Sequence, residues 1–158
     1  MEDKDKMFRM IQTKGNVLNA PADGPIVHCI SADLKLGAGV ARQIDEKFGT
    51  RRQLLTLYPF GLAEDFKNRR NLCVATPRVL NLVTKEKYFF KPSYQTMSNA
   101  IQALYEYCMK NNITKLYMPR IGCGLDQLKW SLVEDIITEI FNDNHPNNVT
   151  ITVYHLGD

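Results

Sequence analysis

Apolar positions recur along this chain with two periods, and the switches between them divide it into strands and helices. Residues 7–13 alternate loosely and predict a strand, which Lys14-Gly15-Asn16 breaks. Residues 25–31 hold the apolar run Ile26-Val27 and then Cys29-Ile30, the pattern of a strand buried on both faces. Over 40–48 the period lengthens: Val40, Ile44 and Phe48 lie four apart and predict a helix, which Gly49-Thr50 ends. Residues 51–58 predict a further short helix. Segments 71–75 and 79–84 are β-rich and flank Thr76-Pro77-Arg78, so they predict a hairpin.

Pro92 suits the first turn of a helix that runs to Lys110. Met97, Ile101, Leu104, Tyr105 and Cys108 form its apolar face, and Asn111-Asn112 stops it. Residues 115–118 predict a short strand, and 131–141 a helix with Leu132, Ile136, Ile137 and Ile140 facing inward. Residues 149–154 predict a closing strand. Strands alternating with helices at this pitch predict an α/β sandwich, mixed because of the hairpin.

Composition narrows the reading without redirecting it. There is no repeat, low-complexity tract or linker, so 7–158 is expected to be one domain, preceded by a disordered lead-in over 1–6. A chain of 158 residues buries roughly two thirds of its unfolded surface. A net charge of +3 favours an anionic ligand slightly, but the basic residues are scattered and outline no nucleic-acid surface. Cys29, Cys73, Cys108 and Cys123 form no CxxC pair, and with His28, His145 and His155 they give no zinc-ligand spacing. Four free thiols, no metal and a reducing compartment are expected. The charged start and the lack of a long apolar run predict no signal peptide, no membrane partner and an intracellular protein, in the nucleus or the cytoplasm.

The candidate chemistry lies in two glycine loops, each between a predicted strand and a predicted helix. The first is Leu36-Gly37-Ala38-Gly39; the second is Pro119-Arg120-Ile121-Gly122-Cys123-Gly124-Leu125-Asp126. Glycine lets backbone N–H groups approach an anion, and the helix that follows adds unpaired donors and a positive dipole end. Arg42 stands where a dinucleotide fingerprint needs glycine or alanine, and there is no GxxxxGK[ST], so neither nucleotide signature is met. A lone GxG is most often a tight turn; a pair in matching positions points toward a diphosphate. A β-branched residue at Gly122 is expected to block that approach.

With Thr13-Lys14-Gly15-Asn16, His28-Cys29-Ile30-Ser31, Gly37-Ala38-Gly39-Val40-Ala41, Met118 through the second loop, and Trp130 beyond it, the sequence resembles the macrodomain family. It is most similar to the branch that removes terminal ADP-ribose from proteins and deacetylates O-acetyl-ADP-ribose. The resemblance covers 8–156. It implies a three-layer α/β/α sandwich, with a mixed sheet of about six strands and ADP-ribose lying across the carboxyl ends of the central strands. It also implies a lysine nucleophile after a strand, matched here by Lys85, and an assisting aspartate closing the second loop, matched by Asp126. A lysine can attack the anomeric carbon and, once the sugar opens, hold it as a Schiff-base-type adduct. It must be neutral to do so, either by proton transfer to Asp126 or by desolvation. Without the resemblance, Lys85 is one strand-end lysine among twenty basic residues and Asp126 a loop or helix-capping acid.

The same resemblance assigns substrate contacts. Gly37, Ala38, Gly39 and Val40 belong to the first loop, and Arg120, Ile121, Gly122, Cys123, Gly124 and Leu125 to the second. Ser31 hydrogen-bonds near the distal ribose or the diphosphate, or else caps a turn. Asn16 stands where an aspartate commonly accepts from the adenine amino group; its carbonyl accepts without a charge, so weaker adenine selectivity is expected. Val17 lines the adenine side. Leu156 closes it from the chain end, with Tyr154 on the same strand face expected to be core. His28 reads as structural and Cys123 as a small filler. No cofactor is implied. The expected partners are ADP-ribose and mono-ADP-ribosylated proteins; nucleic-acid ends are not indicated, and the chain is expected to be a monomer. Three functions fit: a hydrolase, a reader that binds without turnover, and a phosphatase of ADP-ribose 1″-phosphate. Lys85 together with Asp126 favours the hydrolase, since a reader needs neither.

Overall fold

A computed structural model describes residues 7–143 and 147–157, so the lead-in over 1–6 and His145 lie outside the described residues. Its strands are β1 (Arg9–Lys14), β2 (Ile26–Ser31), β3 (Cys73–Thr76), β4 (Val79–Lys85), β5 (Lys115–Pro119) and β6 (Thr150–His155). Its helices are α1 (Gly39–Phe48), α2 (Thr50–Leu57), α3 (Ala63–Lys67), α4 (Tyr94–Lys110) and α5 (Trp130–Asp143), with a 3-10 turn at Val17–Asn19. The strands form one six-stranded sheet in the order β1-β6-β5-β2-β4-β3. All pairs are parallel except the β3–β4 hairpin.

The central strands read as continuous apolar runs because both their faces are covered. On one face Val27, Leu80, Leu82, Met118, Ile151 and Val153 meet Met97, Ile101 and Leu104 of α4 and Val133, Ile137 and Phe141 of α5. On the other, Ile30 and Val83 pack under Leu34, Leu54 and Leu62, while Ile26, Val79 and Tyr117 pack with Val17 and Ile44 of α1. The sandwich therefore has three layers, as expected.

Local differences have local reasons. Pro92 precedes α4 instead of sitting in its first turn, because Ser93 is the cap: its side chain accepts from the Thr96 N–H and Thr96 answers at the Ser93 N–H. In α5 the buried stripe is Val133, Ile137 and Phe141, four apart; Leu132, one residue off it, is exposed, and Ile136 and Ile140 flank it half-buried. Leu156 lies beyond β6, so it does not share a strand face with Tyr154. The five residues of α3 bury no side chain fully, so no apolar rhythm announces them.

Candidate active site

β2 and β5 are neighbours in the sheet, yet the chain leaves β2 toward the α1 layer and β5 toward the α5 layer. Two parallel strands whose loops part in this way open a crevice at their carboxyl ends. A cavity of about 780 Å³ lies there.

The first loop is held open by its own residues. Leu34 and Leu36 are buried with φ of 58° and 44°, a left-handed conformation that side chains resist at a cost of about 1 kcal/mol or more each. Arg51 of α2 secures the turn by donating from Nε to the Leu34 carbonyl at 2.9 Å. Asp33 secures it from the other side. Its Oδ1 accepts from the Ser31 hydroxyl at 2.5 Å and the Lys35 N–H at 3.3 Å, and its Oδ2 accepts from the Tyr88 N–H at 2.8 Å. Ala38 caps α1 with no side-chain hydrogen bond, and Gly39, Val40 and Ala41 of its first turn line the cavity.

The second loop packs its left-handed glycine more tightly than the first packs Gly39. Gly122 has φ of 77°, and a Cβ added there would stand 2.6 Å from Met97 Cε and 3.0 Å from Leu128 Cδ1. A second reason for that glycine thus stands beside the expected one: a side chain there would have to displace the ends of Met97 and Leu128 and hold a left-handed backbone. Gly124 and Gly37 instead have open space above them, with at most Lys35 O at 3.9 Å from a Cβ on Gly37. The two loops meet where Leu125 Cδ1 would lie 3.3 Å from a Cβ on Gly39. Lys91 ties the far side down by donating to the Leu125 carbonyl, and Tyr94 accepts from the Lys129 N–H at 3.1 Å.

Between the loops, Lys85 Nζ donates to Asp126 Oδ1 at 2.7 Å, with both side chains 15% exposed. The sheet delivers Lys85 through a shift in register: Ile30 pairs with Val83, but Ser31 pairs with Lys85. Such an irregularity at a strand end re-aims a side chain. A mostly buried ammonium and carboxylate in contact form a charge-assisted hydrogen bond, and they open onto a space wide enough for a substrate.

The other titratable groups nearby are held in inert forms. Burial lowers the His28 pKa to about 4, against the opposing hydrogen bond to Asn81, so the ring is neutral at neutral pH. Asn81 gives its amide hydrogens to Val74 O and Thr76 Oγ1, which turns its Oδ1 toward His28 Nε2 at 2.5 Å and makes that nitrogen the donor. Burial pushes the Cys29 thiol up, with the Asp126 carboxylate adding to it. Burial raises Cys123 to about 11, although Arg120 opposes the shift, and its Sγ donates to Ile121 O at 3.3 Å. All four cysteines are free thiols. Among the described residues no group of three or more His, Cys, Asp or Glu is placed to hold a metal, and no helix is long and apolar enough to cross a membrane.

Of the residues singled out in the sequence, Lys85, Asp126 and Ser31 line the cavity. So do Gly37, Ala38, Gly39 and Val40 from the first loop, and Arg120, Ile121, Gly122, Gly124 and Leu125 from the second. Cys123, Asn16, Val17 and Leu156 are outside its lining. Asn16 caps the 3-10 turn, its Oδ1 accepting from the Leu18 N–H at 2.9 Å. Val17 is buried in the core beside α1, with Tyr154 half-buried against it, and Leu156 is exposed. These residues lie at the carboxyl end of β1 and β6, on the same edge of the sheet as the cavity but to one side of it. Sequence reasoning missed Asp33, Lys35, Arg51, Tyr88 and Lys91. Of these only Asp33 carried a signal, as an acidic residue two positions after a strand-end serine, a spacing suited to a turn.

The chain is 35% identical over 153 residues to the ADP-ribose glycohydrolase OARD1 of Bos taurus, a match spanning 94% of this chain and 92% of that protein. Among solved structures it is similar to the macrodomain of Thermus aquaticus DarG, with a TM-score of 0.72, 21% identity, and 94% of this chain and 98% of that one covered. It is also similar to Thermosipho africanus DarTG in complex with ADP-ribose, with a TM-score of 0.69 at 14% identity, over 92% of this chain and 41% of that one. No protein-family profile matches the chain.

Proposed function

The chain belongs to the macrodomain family, and on that premise we propose that its cavity binds ADP-ribose and that the protein hydrolyses an ADP-ribosyl bond there. The substrate is mono-ADP-ribose carried as an ester on glutamate or aspartate, with O-acetyl-ADP-ribose as a second ester of the same sugar. The observation that carries this reading is the 2.7 Å contact of Lys85 with Asp126, brought from the end of β4 and from the second loop into one cavity and mostly withdrawn from water. A module that only binds ADP-ribose has no use for that pair.

In this reading the diphosphate lies between the open backbone at Gly37 and Gly124 and the uncapped start of α1, where N–H donors and the helix dipole favour negative charge. The distal ribose then reaches Ser31 and Lys85. A proton passes from the Lys85 ammonium to Asp126, leaving a neutral amine. Its lone pair forms a bond to the anomeric carbon as the bond to the acyl oxygen breaks, and the electron pair of that bond leaves with the carboxylate of the released side chain. Asp126 hands its proton to the departing carboxylate and is ionised again. One nitrogen-bound proton moves to the ring oxygen as the sugar opens, and the adduct rests as a protonated Schiff base on Lys85. Asp126, as carboxylate, takes a proton from water as the hydroxyl adds to that carbon. Asp126 then returns that proton to the nitrogen. The carbon–nitrogen bond breaks as the new hydroxyl gives its own proton to the departing amine, and Lys85 is again an ammonium.

Incubation with a glutamate-linked mono-ADP-ribosylated protein tests the reading. The parent should release ADP-ribose, and Asp126→Ala should fold normally and release it about a thousandfold more slowly, within the range for loss of a proton-transfer group. Binding of ADP-ribose without release would return the protein to the reader class. Release undiminished in Asp126→Ala would remove that carboxylate from the chemistry.

A further inference from the structure

One feature at the cavity's mouth extends beyond the lining and takes no part in the bond-breaking chemistry proposed above. One residue past β4 the chain runs Lys87-Tyr88-Phe89-Phe90-Lys91, and the three aromatic residues are 59%, 62% and 41% exposed. Consecutive aromatics left in water bury little apolar surface and do little for stability, and such a patch marks a place of contact. Its position says contact with what. Tyr88 lines the cavity, and its N–H is fixed by the same Asp33 carboxylate that holds Ser31, which pairs in the sheet with Lys85. The patch therefore borders the end of the cavity where the bond is cut, the side from which the modified group enters and leaves.

The ring geometry selects among occupants. Tyr88 and Phe89 meet at 5.2 Å and 82°, Phe89 and Phe90 at 5.0 Å and 81°, so successive rings stand edge to face. The Lys87 ammonium lies over both phenylalanines, 6.0 Å and 5.8 Å from their centroids. Nucleobases stack on open ring faces; here successive rings meet edge to face and a cation already stands over two of them. Irregular apolar side chains fit such a corner. Charge supplies the second selection. Glu86 is held by Lys67 at 3.5 Å and Asp126 by Lys85, whereas Lys87 makes no ion pair among the described residues and Lys35 stands exposed at the cavity wall. The mouth thus offers positive charge beside apolar rings.

We infer that Tyr88, Phe89, Phe90 and Lys87 form a docking surface for the polypeptide that carries the ADP-ribose, and that it favours a segment with apolar and acidic residues flanking the modified side chain. This inference rests on the reading of the cavity as an ADP-ribose site. It makes the protein selective for where a modification sits as well as for what it is.

The test uses Phe89→Ala/Phe90→Ala and Lys87→Glu, none of which lines the cavity, each built into Lys85→Ala so that the ester persists. Affinity is measured for free ADP-ribose, for a glutamate-linked mono-ADP-ribosylated peptide with acidic and apolar flanks, and for an ADP-ribosylated single-stranded oligonucleotide. Without the added changes the peptide should bind more tightly than ADP-ribose. Both added changes should leave ADP-ribose affinity unaltered, while the phenylalanine pair weakens peptide binding about tenfold, the scale of losing an aromatic contact region. Lys87→Glu should weaken the acidic peptide and spare a neutral-flanked one. A peptide that binds no better than ADP-ribose, or an equal loss for both ligands, would overturn the docking surface. So would a loss confined to the oligonucleotide. Failure to bind ADP-ribose at all would sink the functional reading first, and the inference with it.

Discussion

The two loops that frame the cavity look alike in sequence and are held by opposite means. Each follows a parallel strand, carries paired glycines and contains an aspartate. In the first, the buried leucines Leu34 and Leu36 are left-handed together with Gly39, at φ of 58°, while Gly37 stands open. In the second, the glycine Gly122 takes the left-handed conformation with Met97 and Leu128 pressed beneath it. Asp33 spends its carboxylate on hydrogen bonds to Ser31, Lys35 and Tyr88, whereas Asp126 spends its on a lysine ammonium. One loop is clamped so that its backbone stays presented; the other is packed so that its last residue meets a partner from another strand. The same residue types thus serve position in one loop and packing or chemistry in the other.

The glycines break this comparison most sharply. Gly122→Val should lower stability by about 2–4 kcal/mol, because it adds overpacking against Met97 and Leu128 to a left-handed backbone that valine resists. Gly37→Val should leave the melting temperature near that of the parent and weaken ADP-ribose about tenfold, on the order of a lost charge-assisted hydrogen bond. Denaturant titration and calorimetry on both proteins read the two effects apart. If Gly122→Val kept parental stability, the packing account of the second loop would be wrong. If Gly37→Val kept parental affinity, the first loop would not face the diphosphate.

The aspartates sharpen the contrast by a smaller step. Asp33→Ala removes the acceptor for three donors and should cost about 1–2 kcal/mol of stability, less than a hydrogen-bond-by-hydrogen-bond sum because water can reach the site. Turnover should fall with it, since Ser31 and the Tyr88 loop lose their common anchor. Asp33→Asn keeps an oxygen for some of those donors and should recover part of both losses. Equal behaviour of Asp33→Ala and the parent in melting and in turnover would remove Asp33 as the clamp.

Much of the fold was legible in the apolar rhythm, because strands covered on both faces and helices covered on one leave distinct periods. The five positions read as the inner face of α4 are all buried. In α5 the rhythm misled, because four isoleucine and leucine positions drew attention from Val133 and Phe141. The site was legible only where a residue type is tied to a backbone requirement, as in the glycine loops. Lys85 and Asp126 are forty-one positions apart, and nothing in either segment's pattern announces their contact; a resemblance, not periodicity, brought them together on the page. Asp33, Arg51 and Lys91 act through carbonyls and N–H groups of other loops, and sequence alone does not reveal which backbone groups a fold leaves in need of a partner.

The proposed catalysis depends on what Lys85 does to the anomeric carbon. Borohydride added during turnover of a glutamate-linked mono-ADP-ribosylated peptide, followed by peptide mass spectrometry, reads this directly. A Schiff base on Lys85 should be reduced to a stable amine carrying ADP-ribose, and more of it should accumulate in Asp126→Ala if that carboxylate resolves the adduct. Lys85→Arg should bind ADP-ribose and release none from substrate, because a guanidinium does not deprotonate to a nucleophile. An unmodified Lys85 together with an active Lys85→Arg protein would contradict covalent catalysis, and would leave Asp126 activating water beside a fixed positive charge.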